Sequence, residues 1–444
     1  MKMNVVFAAL TALAAVAVQA AVPWVTEEEL DFVRKRVKHM DTIPGTPEGD
    51  AKRFYSNDEK TEYVEFNYDE DKAGEGTYTL EDPLSFMDGR KLKGPSDWPA
   101  RRREILELFE REVYGRMPPK PDPMVTELVS EKLTSDRFAV ERRYRMGFRK
   151  DRTGPVIDWI VFVPKYAKHP CPEILHLNYK GNDGVAEGKT NHYLLPLGDF
   201  TAHGNAFMSA HYTQITSDGP KRGGDYFNGV CELWGMRDPK KTDNPGALII
   251  WAWGLSRGLD LAERIPEIDA KRSVVTGSSR LGKAALLAAA YDERFAVCVP
   301  NQTGAVGVQL MKRNYGESLA GQRLSLAHWY CKAVWKYKDD PKSQPFDQHL
   351  LLACIAPRAL LLECYHKRWF DPKGEFLAAK AASPAWEMLT GRGLGLEEMP
   401  PPYDDSFVRP PFGYVRRTEC HGLSPYDWKW TLDFADRVFF PSKK

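Results

Sequence analysis

Two serines in this sequence stand between glycines, and a serine so placed can be the nucleophile of an acyl-transfer enzyme. One lies in Gly254-Leu255-Ser256-Arg257-Gly258, which fits the G-x-S-x-G pattern. The other lies in Thr276-Gly277-Ser278-Ser279-Arg280-Leu281-Gly282-Lys283. The chemistry needs a strand that runs into a sharp turn and then a helix, so that the hydroxyl stands at the sheet's C-terminal edge. Ser256 falls inside a long helical pattern from Ala247 to Ile265, where a serine is ordinarily solvated or bonded back to its own helix. Ser279 has the required context. Arg272-Ser273-Val274-Val275 precedes it as a strand and Ala284 to Ala290 follows as a small-residue helix. Gly277 permits a strained turn, and Gly282 lets the helix approach the strand. Backbone N–H groups at such a helix start can face a developing oxyanion.

A serine nucleophile needs a base. His421 sits in Glu419-Cys420-His421-Gly422-Leu423, a polar loop ahead of a helical pattern from Asp427 to Val438. In α/β-hydrolases the histidine comes last in chain order. His328 and His349 compete with it but read as structural hydrogen-bonding residues.

The elements that must position these groups alternate along the chain. Ile157–Val163, Glu173–Tyr179, Ala206–Tyr212, Ser273–Thr276, Phe295–Pro300 and Ala359–Cys364 read as strands, with helical patterns between several of them. Apolar strands alternating with helices predict a mostly parallel sheet covered on both faces. The expected organisation is a signal peptide over 1–20, an N-terminal extension with one helix (Arg101–Tyr114) over 21–120, and an α/β-hydrolase catalytic domain over 121–444. Lys2, the apolar run Val5–Val18 and the small residue Ala20 carry the export signal, so the mature chain is expected to be secreted or periplasmic.

Composition narrows the partners. Among 444 residues, 62 Lys+Arg stand against 61 Asp+Glu, for a formal charge of +1. Nothing global attracts nucleic acid or an anionic membrane. The seven Cys are scattered without metal-finger spacing, so no metal site is expected; Cys298, Cys354 and Cys364 lie in apolar runs and read as buried thiols. Twelve Trp and 19 Tyr leave room for some to line a sugar groove.

At the elbow and beyond it, the sequence resembles the glucuronoyl esterases of carbohydrate esterase family 15. Their elbow reads G-C-S-R-x-G-K or G-H-S-R-x-G-K; here it is G-S-S-R-L-G-K. The likeness runs from about Ile174 to Phe434 through Asn178-Tyr179-Lys180-Gly181-Asn182, Trp251-Ala252-Trp253, Asp292-Glu293-Arg294-Phe295, His328-Trp329, Asp347-Gln348-His349, Ile355-Ala356-Pro357-Arg358, Gly374-Glu375-Phe376, His421 and Tyr426-Asp427-Trp428. It implies an α/β-hydrolase fold and cleavage of esters that join 4-O-methyl-glucuronic acid on xylan to lignin alcohols, without a cofactor. Residue by residue it makes Ser279 the nucleophile, His421 the base and Arg280 the support of the oxyanion. Lys283 and Glu317 become contacts to sugar hydroxyls, and Trp369 lines the sugar site.

The resemblance breaks at the triad acid. The family carries that acid either as the Glu of a Q-E-S-G stretch, which here is Asn301-Gln302-Thr303-Gly304, or two residues before the sugar-site tryptophan, where Lys367 stands. Glu363, at the end of a strand, is one replacement; Gln302, orienting the histidine without charge, is another; Asp371 is a third. Because the acid's charge stabilises imidazolium, its loss can cost ~10⁴ in rate. Two alternatives to the uronate esterase therefore stand: another carbohydrate esterase, such as an acetyl esterase, and a weakened homologue that binds a sugar acid. The family's Cys before the nucleophile is Ser278 here, which leaves Cys420 without that disulfide partner.

Overall fold

The computed structural model describes residues 52–57, 60–74, 76–186, 197–219, 228–235, 241–418 and 421–441. The expected signal segment, the start of the extension and Cys420 lie outside them.

A short antiparallel pair, β1 (Lys52–Asn57) and β2 (Lys60–Glu65), precedes the main body. The body is built on a nine-stranded sheet of β3 (Val125–Leu133), β4 (Ala139–Gly147), β5 (Val156–Pro164), β6 (Cys171–Asn178), β7 (Ala206–His211), β8 (Ile268–Ser278), β9 (Val297–Asn301), β10 (Ala359–Tyr365) and β11 (Phe412–Arg417). Their order is β11-β10-β9-β8-β6-β7-β5-β4-β3. The run from β7 to β11 is parallel, and β5, β4 and β3 continue it antiparallel. This is the helix-covered, mostly parallel sheet expected from the alternation of elements, and the α/β-hydrolase architecture that the family resemblance implies.

Strand periodicity divides the core into two layers. Val275 and Cys298 face one layer, with α1 (Trp98–Phe109), α2 (Ala247–Ala262), α3 (Arg280–Tyr291) and α4 (Pro372–Thr390). Val274, Val299, Leu361 and Val415 face the other, with Trp428 and Phe434 of α5 (Pro425–Phe439). Buried on both sides, the parallel strands carry near-continuous apolar runs, which is why they stand out in the sequence. Helix α1 begins three residues before the expected start, because Pro99 is tolerated in a helix's first turn. Trp98, Ile105 and Phe109 of α1 pack into the same core as the sheet. No helix among the described residues is long and apolar enough to cross a membrane.

Parallel register decides which strand ends meet. Ser278 of β8 pairs with Asn301 of β9, and Asn301 with Glu363 of β10. The residues that leave these strands, Ser279 and Gln302, therefore emerge side by side at the C-terminal edge, where open α/β sheets place their ligands.

Candidate active site

Ser279 links β8 to α3 with φ 59° and ψ −128°, a conformation that an L-residue holds only when its surroundings impose it. Its neighbours do so. A Cβ on Gly277 would stand 2.4 Å from the Leu281 carbonyl oxygen, and one on Gly282 would stand 2.7 Å from the Gly277 oxygen and 2.8 Å from that of Asn301. Ser279 N–H donates to the Asn301 carbonyl (2.9 Å), and Tyr179 Oη donates to that of Ser278 (2.7 Å). The turn is clamped from both sides. The Arg280 N–H opens α3, a position with no acceptor four residues back. Ser256, by contrast, lies buried within α2, away from any turn.

The imidazole of His421 arrives at the same edge. Its Nδ1 lies 2.8 Å from Gln302 Oε1. The amide is fixed by two more bonds: Gly422 N–H donates to Oε1 (2.9 Å) and Gln302 Nε2 donates to the Gly422 carbonyl (3.2 Å). A backbone N–H requires an acceptor, so the atom facing Gly422 N and His421 is the amide oxygen. Nδ1 must then carry the proton, which leaves the Nε2 lone pair as base. Gln302 itself, at φ 49°, sits just past the end of β9. Phe370 (ring centroids 4.9 Å apart), Tyr365 (6.2 Å) and Trp369 (6.3 Å) pack around the imidazole.

Glu363 does not reach His421. It shares a sheet face with Leu361, so its carboxylate points into the layer beneath α5, where it accepts from Asn301 Nδ2 (2.9 Å) and Thr431 Oγ1 (3.0 Å). Burial, reinforced by Asp427, pushes its pKa well above the ordinary carboxylate value. The expectation that Glu363 orients the histidine is corrected by strand alternation. Asp371 is likewise engaged elsewhere. It caps α4 through Gly374 N–H (3.0 Å) and pairs with Arg313 Nε (2.9 Å). Of the three candidates, the structure places only Gln302 on the imidazole.

The groups expected at the sugar line the same edge. Lys283, in the first turn of α3, is buried, and burial lowers its pKa to about 8 against the opposing pull of Glu317. Its ammonium lies 5.4 Å over the Trp329 ring. Glu317 accepts from Ala305 N–H (3.3 Å) through its side chain, and its own N–H donates to the Trp369 carbonyl (2.8 Å), tying the two expected sugar contacts together. Below them Glu375 accepts from Gly304 N–H (3.2 Å), and burial raises its pKa to about 8.

Asp218 is the residue that sequence reasoning missed. Its carboxylate takes a bond from Arg280 Nη1 and others from Trp329 Nε1 (2.7 Å), Tyr212 Oη (2.9 Å) and the His328 ring Nε2 (3.0 Å). Burial pushes its pKa up, but His328, Arg280, Trp329 and Tyr212 overcome this and leave it lowered to about 2. Asp218 thus fixes Arg280, whose guanidinium also lies 4.9 Å over Trp329. The Arg280 Nε–H is buried with no acceptor among the described residues, a state that calls for a ligand or transition-state partner. Nothing in the spacing of Thr216-Ser217-Asp218-Gly219 signals this role. His328 has its explanation here, and His349 bonds the Glu81 carbonyl away from the edge (2.7 Å).

Asp218→Asn is expected to lower kcat about tenfold, since a loosened guanidinium is a misplaced one. Steady-state kinetics measures this, and an unchanged kcat would show that Arg280 needs no such anchor.

The fold and elbow make this protein an α/β-hydrolase. Residues 202–390 match the family model of the fungal glucuronyl esterases. A carbohydrate esterase from an unknown prokaryotic organism is 32% identical over 404 residues, covering 84% of this chain and 91% of that protein. The 4-O-methyl-glucuronoyl methylesterase of Podospora anserina is 29% identical over 330 residues, 70% of this chain and 60% of that protein. Among solved structures, a promiscuous family 15 esterase from a marine bacterial metagenome superposes with TM-score 0.75 at 29% identity, covering 84% of this chain and all of that one (100%). The glucuronoyl esterase of Solibacter usitatus gives TM-score 0.74 at 31% identity, covering 82% and 98%. The chain belongs to carbohydrate esterase family 15, the glucuronoyl esterases.

Proposed function

We propose that this protein is an exported serine esterase that hydrolyses (4-O-methyl-)glucuronoyl esters linking xylan to lignin alcohols. The observation that carries the proposal is the tautomer set by Gln302, which leaves Nε2 basic at the sheet edge where Ser279 is held in a strained turn. His421 Nε2 takes the Ser279 Oγ proton as Oγ attacks the uronate carbonyl. The Arg280 side chain and backbone N–H groups at the α3 start stabilise the oxyanion. The tetrahedral adduct collapses, and the alcohol leaves with the proton from His421. Water, deprotonated by the same nitrogen, then releases glucuronate from Ser279. Trp369, Glu317 and Lys283 hold the sugar ring of the acid side. Export follows from Lys2, the apolar run and Ala20.

A second reading has its own observation. A neutral amide holds the tautomer but cannot neutralise imidazolium, which favours a slow enzyme or a sugar-acid binder. The comparison of kcat/KM on benzyl glucuronate and on 4-nitrophenyl acetate tests the proposal. At least a tenfold preference for the uronate is expected, because an acetyl group offers Lys283, Glu317 and Trp369 nothing to hold. A preference for the acetate would overturn the uronate assignment.

A further inference from the structure

Glu317 and Trp369 stand on two loops whose backbones pass through left-handed conformations, at Asn314 (φ 46°), Gly316 (φ 65°) and Asp371 (φ 48°). Non-glycine residues hold such angles only where their surroundings impose them. The two loops lie against each other. A Cβ on Gly316 would stand 2.5 Å from the Trp369 carbonyl oxygen and 2.8 Å from that of Arg368. What encloses them from the other side is the segment 66–73, which follows β2. The Gly316 N–H donates to the Asn67 carbonyl (2.9 Å), and Asn67 Nδ2 donates to the Asn314 carbonyl (3.0 Å). Asn67 Oδ1 accepts from the Asp69 N–H (3.0 Å), so the amide is held at both ends. Arg368, beside Trp369, donates to the Tyr68 carbonyl (3.0 Å) and to Tyr315 Oη (3.0 Å).

Arg313 joins all three segments. Its guanidinium is fully buried and every nitrogen has a partner. Nε donates to the Asp371 carboxylate (2.9 Å), Nη1 to the Ala73 carbonyl (2.9 Å) and Nη2 to Glu70 (2.7 Å). Asp371 in turn caps α4, and Lys373 in the first turn of α4 reaches Glu70 as well (3.3 Å). A buried ion pair adds little stability over apolar packing of the same volume. What the planar fork does supply is a fixed angle between the segments it bonds, which a lysine could not reproduce. None of Asn67, Glu70, Arg313 and Arg368 has a part in the ester chemistry, yet their bonds meet on the two loops that carry Glu317 and Trp369.

We infer that Asn67, Glu70, Arg313 and Arg368 are positioning residues, through which the 66–73 segment sets the spacing of Glu317 and Trp369; the uronate-esterase reading supplies what that spacing is for. Arg313→Ala would leave Asp371 as an unpaired buried charge, so the tests fall on its half-exposed partner and on Asn67. Glu70→Ala and Asn67→Ala should each raise KM for benzyl glucuronate about three- to tenfold with kcat within about twofold, because sugar contacts made equally in ground and transition states act on KM. Turnover of 4-nitrophenyl acetate, whose acyl group reaches neither loop, should stay within about twofold. Glu70→Gln keeps an acceptor for Arg313 and should return KM to within about twofold of wild type. An unmoved KM in both alanine variants, or a parallel loss on both substrates, overturns the inference while leaving the esterase reading standing. If the wild-type enzyme does not hydrolyse benzyl glucuronate, the uronate reading fails instead. Hydrogen exchange then reads the loops without substrate: backbone N–H groups of residues 314–318 and 369–371 should exchange roughly fivefold faster in the two alanine variants. Unchanged exchange there overturns the inference whatever the enzyme hydrolyses.

Discussion

Gln302→Glu is expected to raise kcat on a glucuronoyl ester by about tenfold to a hundredfold, an uncommon direction for a change at a buried active-site position. Gln302 already performs half of what a triad acid does, because its oxygen accepts from His421 Nδ1 and so leaves Nε2 unprotonated. What it lacks is charge. A carboxylate there would attract the imidazolium that forms as Ser279 is deprotonated, and a hundredfold gain corresponds to ~2.7 kcal/mol of transition-state stabilisation. The full ~10⁴ associated with the acid is not expected, since much of that figure reflects a wrong tautomer, which this site avoids. Two local terms limit the gain further. The second carboxylate oxygen would face the Gly422 carbonyl in place of the present Nε2 donor, and Glu363 and Asp427 lie nearby as further acids. Arg417, which bonds both the Gly422 carbonyl and Asp427, offsets part of this repulsion. The check is kcat for the two proteins side by side. A Gln302→Glu enzyme no faster than wild type would mean that imidazolium charge does not limit the reaction.

How far this site could be foreseen depends on which physical signal each part carries. The strands β5 to β10 are buried on both faces apart from the polar first half of β8, so each shows an apolar run bounded by Pro, Gly or polar residues. The elbow was legible because glycines at 277 and 282 answer a steric demand that the structure displays directly. Strand β3 carries no such signal: its sequence VTELVSEKL is exposed beyond its first two residues, and its partner β4 is interrupted by the charged run Glu141-Arg142-Arg143. Helix α4 carries Pro384 in its interior, which argues against a helix in any local reading. The acid was the least legible part. Glu363 and Gln302 both lie near the C-terminal edge of the sheet, and only the side-chain direction on β10 and the bonds to Gly422 separate them. Asp218 was invisible for a different reason. Its partners Arg280, His328 and Trp329 lie 62, 110 and 111 residues away in sequence, and no periodicity links them.

Ser279→Ala is expected to lower kcat/KM on the uronate ester by about 10³- to 10⁴-fold while leaving the affinity for glucuronate within a few-fold of wild type. The hydroxyl is the nucleophile of the proposed mechanism, but the loss is bounded on both sides. A serine hydrolase with a complete triad loses ~10⁶ when its serine is removed, whereas one already deprived of its acid has far less left to lose. Gln302 places this enzyme between those limits. Background catalysis from the Arg280 and backbone donors persists in the variant, because they do not depend on the hydroxyl. The same reasoning sets a stricter condition through the double variant. Once Ser279 is gone, the charge at position 302 has no proton transfer to assist, so Gln302→Glu should raise the rate of wild type but not that of Ser279→Ala. The two changes must therefore be non-additive by the full gain seen at position 302. If Ser279→Ala retains wild-type turnover, the nucleophile lies elsewhere. If Gln302→Glu accelerates both backgrounds equally, the glutamate acts on something other than the Ser279–His421 pair.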